Sequence, residues 1–258
     1  MRRRLMHKAT LGISLAVCLT GLVGWMTVGK PAAAPRTPAE IIQMGVEAGA
    51  GRDADKLDAL RALAGNGNTL AQRTLGQALL VRNEPHGNRE AIDWLQRAAL
   101  GKDVEAATLL GRTLMQGVPG VARDDKRAFP VMLSAGRAGH GAAAYYLGVM
   151  LKNGYGTQVD ALAAVRWFDF AAKQHSPYAP AAMFMLANAH RYGEGVKANE
   201  GNARILYLMS ARMGYPAAIQ TLAMAYQNGE LGLERSEAAY QRELAEMNHV
   251  LKHPQLAL

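Results

Sequence analysis

Thiol chemistry is almost missing from this sequence. Cys18 is the only cysteine, and it lies inside an apolar run near the N-terminus. The rest of the chain can therefore carry no disulfide, no thiolate nucleophile and no cysteine-based zinc site. Aromatic residues make up only 6% of the chain. β-branched residues are sparse and do not alternate, which argues against a sheet. Acidic residues are absent from the first 39 positions, and Glu40 is the first. What is abundant is Ala and Gly within a composition that is half apolar, the mixture expected of closely packed helices.

The charge is unevenly placed. The formal net charge is +8, but Arg2, Arg3, Arg4, Lys8 and Lys30 lie in the acid-free leader. Taking those five from the 29 basic residues leaves 24 against 21 acidic ones. Such a balance gives little counterion-release drive toward a phosphate backbone, so nucleic acid is a poor candidate partner. The basic cluster precedes an apolar stretch from Leu11 to Val28 that ends at Lys30-Pro31. This order reads as an export signal or an N-terminal membrane anchor over residues 1–30, with a linker at 31–37. Eighteen helical residues span about 27 Å, close to the hydrocarbon thickness of a bilayer. Cleavage after Ala34 faces Pro35, and lipidation at Cys18 comes after Leu15-Ala16-Val17, a poor match. Retention as a signal anchor fits the long apolar run best, and all three fates put the remainder of the chain outside the cytoplasm.

After residue 65 a motif returns with a period near 36. Ala71, Ala106, Ala143, Ala182 and Ala218 open the copies. Next in each copy come a Leu and a small residue: Leu75-Gly76, Leu110-Gly111, Leu147-Gly148, Leu186-Ala187 and Leu222-Ala223. A unit this short cannot bury its apolar face alone, so successive copies must stack. Each copy reads as helix–turn–helix. In the third, Leu147 and Leu151 share a face, Gly154 and Gly156 make the turn, and Asp160 is placed to cap the second helix. Two segments ahead of the array, about 38–50 and 55–64, read as a degenerate helix pair capping the stack (residues 38–66). A charged helix from Glu234 to Lys252 would close the other end of the array, 67–258. Pro130 predicts a kink in the second helix of the second copy. Gln174 to Pro180 replaces the usual short turn between the third and fourth copies.

The pattern A-x-x-x-L-G, then G-x-G, then D-x-x-x-A-x-x-W-x-x-x-A-A resembles the Sel1-like repeat, a relative of the tetratricopeptide repeat. The third copy carries it whole, with Trp167 in the aromatic slot. The fourth has Leu186, Gly193-Glu194-Gly195, Asn199, Ala203 and Leu206. The first has Trp94 but lacks the glycine pair, the second has Val131 in the Trp slot, and the fifth is eroded. The resemblance covers roughly residues 67–245. It implies an all-α fold, a right-handed α/α superhelical solenoid of about five helix-turn-helix repeats.

Catalytic and metal readings find little support. Asp53, Asp55 and Asp58 lack the spacing and glycine of a calcium loop and read as a solvated turn. His249 and His253 have helical spacing but no third ligand. Gly193-Glu194-Gly195 lacks the lysine and strand of a phosphate loop, and the repeat turn accounts for it. No nucleophile elbow is present. No cofactor and no metal is expected, and the resemblance implies recognition in place of catalysis.

In solenoids of this kind the first helices line the concave face. Carried over by register, positions two before and two after each repeat leucine point into the groove. These are Arg73, Thr108, Tyr145, Phe184 and Gln220, then Gln77, Arg112, Val149, Asn188 and Met224. The expected binding residues are Arg112, Tyr145, Lys152, Phe184, Asn188 and Arg191, with Tyr145 and Phe184 alternatively packing between repeats as core. The expected protein is a periplasmic scaffold, tethered to the inner membrane of a Gram-negative bacterium, whose concave face takes a protein or peptide partner. Alternatives are a periplasmic immunity protein that neutralises a toxic effector, a glycan-binding protein, and a cell-wall or lactam hydrolase.

Overall fold

The computed structural model describes residues 37–51 and 53–252. The expected signal or anchor, the linker up to residue 36, and His253 lie outside the described residues. Among the described residues no helix is long and apolar enough to cross a membrane.

Twelve helices are described, arranged as hairpins. The first pair is α1 (Pro38–Gly51) and α2 (Ala54–Gly65). The repeat hairpins are α3 (Thr69–Arg82) with α4 (Pro85–Leu100), α5 (Val104–Gln116) with α6 (Asp125–Arg137), and α7 (Gly141–Asn153) with α8 (Ala161–Ala172). Then come α9 (Ala179–Tyr192) with α10 (Glu200–Arg212), and α11 (Pro216–Asn228) with α12 (Glu237–Lys252). Each helix packs chiefly on its chain neighbours, while α1 lies against α3, and α7 touches both α5 and α9. The first helices therefore form one layer and the second helices the other, the two-layer arrangement of an α/α solenoid. The only β feature described is an isolated bridge between Val118 and Val121 in one turn.

Two kinds of close approach set the spacing. The first lies inside each hairpin. The repeat leucines Leu75, Leu110, Leu147, Leu186 and Leu222 are all buried. A Cβ on the neighbouring glycine would come within 2.7 Å of Leu95 at Gly76, 2.7 Å of Met132 at Gly111 and 2.5 Å of Phe168 at Gly148. Those three partners each come directly after the Trp-slot residue, so the small position of the first helix receives the side chain beside that slot. Its helix partner belongs to the same repeat.

The second approach joins one hairpin to the next. A Cβ at Gly120, Gly156 or Gly195 would sit 2.4, 2.0 or 2.2 Å from the carbonyl oxygen of Pro85, Asp125 or Ala161, respectively. Each of those oxygens belongs to the first residue of the previous repeat's second helix. All three glycines also have positive φ, so both backbone conformation and space demand glycine. At the array's C-terminal end this contact changes character. Gly232 meets only the Arg204 guanidinium, which donates to the Leu231 and Gly232 carbonyls.

Capping agrees with the sequence. Asp160 accepts from the Ala163 amide at 2.8 Å, and Asp103, Asp124 and Asn199 cap α5, α6 and α10 in the same way. Pro130 lies within α6. It removes the amide that would otherwise bond the Lys126 carbonyl, yet the helix runs on to Arg137. The first repeat turn, which has no glycine pair, uses Asn83 in the left-handed region at φ 55°. Buried Asn88 ties it across to the next repeat by donating to Asn83 Oδ1 and to the Pro119 carbonyl.

Candidate functional site

The residue two positions before each of the first four repeat leucines meets the N-cap residue of the next repeat's first helix. Arg73 Nε donates to Asp103 at 2.9 Å. Thr108 Oγ1 lies 2.8 Å from His140 Nδ1. Tyr145 stacks on Tyr178 with ring centroids 5.3 Å apart. Phe184 packs on Tyr215 at 5.4 Å. Asp103, His140, Tyr178 and Tyr215 are the N-cap residues of α5, α7, α9 and α11. This row is thus a series of inter-repeat joints, polar in the first half of the array and aromatic in the second.

Chemistry at each joint depends on its members. Asp103 both caps the Ala106 amide and holds Arg73, whose guanidinium also pairs with Glu105. At the next joint His140 Nδ1 faces both the Ala143 amide and the Thr108 hydroxyl. Burial lowers the His140 pKa, with Glu105 opposing weakly, which favours the neutral ring that can accept at Nδ1. In the aromatic joints burial raises the phenol pKa of Tyr145 and of Tyr215. Neither Tyr178 nor Tyr215 makes a side-chain cap bond; instead Pro180 and Pro216 occupy the first turns of α9 and α11.

Tyr145 and Phe184 are therefore half-buried members of these joints, Tyr145 also touching Phe168 and Phe184 also touching Tyr207. Asn188 accepts from the Tyr207 hydroxyl at 2.6 Å and is committed to its own hairpin. Lys152 and Arg191, each in the last turn of its helix, pair with Glu194 and Glu230 in the turn one repeat on. The equivalent positions in the first two repeats are Leu80 and Met115. Among the six expected binding residues, only Arg112 lines the polar cleft of the inner layer.

That cleft, of about 270 Å³, is walled by α3, α5 and α7 and closed by Tyr178. Arg73 and Gln77 contribute from α3, Glu105, Thr108, Leu109 and Arg112 from α5, and His140, Ala142 and Tyr146 from the α7 side. Arg112 reaches the Tyr178 hydroxyl at 3.5 Å, and the Tyr178 and Tyr146 hydroxyls are 3.1 Å apart. Burial works against the Arg112 charge, but the two hydroxyls outweigh it and raise its pKa. Burial likewise pushes the Tyr146 phenol well above its ordinary value. Tyr146 and Tyr178 were not expected from the register. Tyr146 lies one residue outside the row, and Tyr178 sits in the irregular segment between the third and fourth copies. Aligning the N-cap positions Asp103, His140, Tyr178 and Tyr215 would have found the second. Among the described residues no group of His, Cys, Asp or Glu could hold a metal ion.

A family model described as Sel1 repeat matches residues 75–103, 104–129, 141–176, 180–215 and 216–241, together more than half of the chain. A crystal structure of a Sel1 repeat protein from Oxalobacter formigenes superposes with a TM-score of 0.67, at 23% identity, over 82% of this chain and 85% of that one. The structure of a protective antigen present in uropathogenic Escherichia coli strains, displaying an SLR fold, gives a TM-score of 0.65 at 30% identity, over 75% of this chain and 40% of that one. Chitin synthase regulator SKT5 of Saccharomyces cerevisiae is 29% identical over 55% of this chain and 21% of its own length. Chitin synthase regulatory factor 3 of Schizosaccharomyces pombe is 28% identical over 50% of this chain and 18% of its own length. The chain thus spans about a fifth of each of these two relatives.

Proposed function

This chain belongs to the Sel1 repeat family, and from that premise we propose that it is a non-catalytic scaffold binding a protein partner in the cleft of its inner helices. Proteins built from this repeat are generally interaction scaffolds. The observation that carries the reading is the cleft itself: three successive first helices converge on a polar hollow in which Arg112 is paired with no carboxylate among the described residues. Two fungal relatives named as regulators of a synthase support an array that acts through another protein. The rigid joints on both sides of the cleft keep its walls ordered before binding, which limits the entropy lost on association.

The acid-free basic leader and the apolar run from Leu11 to Val28 support export, with the array held in the periplasm at the inner membrane. Full-length chain and an Ala142→Arg variant, whose long side chain fills the cleft, are used as baits in a periplasmic extract. A partner recovered with the wild type should fall at least tenfold with the variant at equal melting temperature. Equal recovery from both baits contradicts the cleft as the binding face. Protection of the array from protease in intact cells, lost in spheroplasts, tests the location.

A further inference from the structure

We infer that Arg112, Tyr146 and Tyr178 form a carboxylate-binding subsite, into which an acidic group of the partner docks. This rests on the scaffold reading and adds the chemistry of what is recognised. A guanidinium has five N–H donors and no acceptor, and Arg112 directs one toward the Tyr178 hydroxyl at 3.5 Å. The Tyr146 and Tyr178 hydroxyls, 3.1 Å apart, share one hydrogen between them and leave the other free. The cleft therefore presents several unspent donors at one point.

The acceptors near them are used elsewhere. Asp103 caps α5 and holds Arg73, and Glu105 pairs with that same Arg73. His140 is held toward its neutral form by burial and uses Nδ1 within the joint.

Charge decides which anion fits. Arg73 is shared between Asp103 and Glu105, so Arg112 is the one cation lining the cleft that no carboxylate pairs among the described residues. A carboxylate matches that charge and the planar fork of the guanidinium. A phosphate dianion would leave one negative charge uncompensated beside Glu105. The acid-free segment ahead of Glu40 has no carboxylate to offer, so it is not the occupant.

The test uses full-length chain in detergent, labelled with ¹⁵N-arginine, and tracks the Arg112 Nε–H resonance by NMR. Four probes are titrated: Ac-Ala-Asp-Ala-amide for a side-chain carboxylate, Ac-Ala-Ala-Ala with a free C-terminus for a main-chain carboxylate, Ac-Ala-Asn-Ala-amide, and inorganic phosphate. At least one carboxylate probe should shift the resonance saturably, and comparison of the two identifies the source. The Asn peptide should have no effect, and phosphate should bind at least threefold more weakly. Arg112→Ala should weaken the carboxylate probe at least tenfold, read through the Tyr146 ring signals. Tyr146→Phe/Tyr178→Phe keeps both rings in place and should weaken it about tenfold, as expected for a lost donor to a charged group. No response to either carboxylate, an equal response to the Asn peptide, or tighter binding of phosphate would overturn the inference. These probes do not depend on capturing a partner, so failure here and failure of the scaffold reading are separable.

Discussion

The two halves of the array solve one geometric problem with different chemistry. Where the first helix of one repeat meets the N-cap of the next, the early joints are Arg73 on Asp103 and Thr108 on His140. The later joints are Tyr145 on Tyr178 and Phe184 on Tyr215. A polar joint leaves charged and titratable groups beside the inner face, whereas an aromatic joint covers it. The cleft begins among the polar joints and ends where Tyr178 starts the aromatic ones. On the proposed function, the partner docks beside the polar joints, while the aromatic joints close over the inner face.

The largest effect should appear where the halves are alike. Gly120→Ala and Gly195→Ala each force a Cβ against a backbone carbonyl at positive φ, and each should cost about 3 kcal/mol in chemical denaturation. A large difference between them would show that the halves differ in more than the joints. Next comes Phe184→Ala, expected to lose about 2 kcal/mol for a half-buried ring in contact with Tyr207 and Tyr215. Tyr145→Phe keeps the stack and should change stability by less than about 0.5 kcal/mol.

Among the polar joints, Arg73→Ala should cost about 1 kcal/mol in low salt and clearly less in 0.5 M salt, by roughly half. The Phe184→Ala loss should not shrink with salt; if it does, the contrast between the joints fails. The smallest effect is a pH dependence. Burial lowers the His140 pKa in the folded chain, so the unfolded state takes up its proton first. Stability from this residue is fully present above its ordinary value near 6.5 and is lost as the pH falls through the folded value. His140→Asn keeps an N-cap acceptor without titration and should flatten that part of the melting-temperature profile.

Much of the fold could be read from the sequence because it repeats in phase. The buried leucines, the small residues beside them, and the cap at Asp160 are local or periodic features. The glycines Gly120, Gly156 and Gly195 of the middle three turns were also legible, but not their task, because the carbonyl each faces belongs to the previous repeat. The joints were harder still. Their members are 30 or more residues apart, and the N-cap position changes from Asp to His to Tyr, so no single residue type marks it. Helical register left Tyr145 and Phe184 either facing the groove or packing between repeats, and could not name Tyr178 and Tyr215 as the rings that meet them. It also passed over Tyr146, whose hydroxyl lies 3.1 Å from that of Tyr178 and beside Arg112.

Hydrogen exchange of the full-length chain, with and without the partner recovered from the extract, tests the division most directly. New protection is expected in α3, α5, the start of α7 and the Tyr178 end of α9, around the cleft, with the rest of α9 and α11 unchanged. Protection confined to the outer helices α4, α6 and α8, or to α9 and α11, would contradict that expectation.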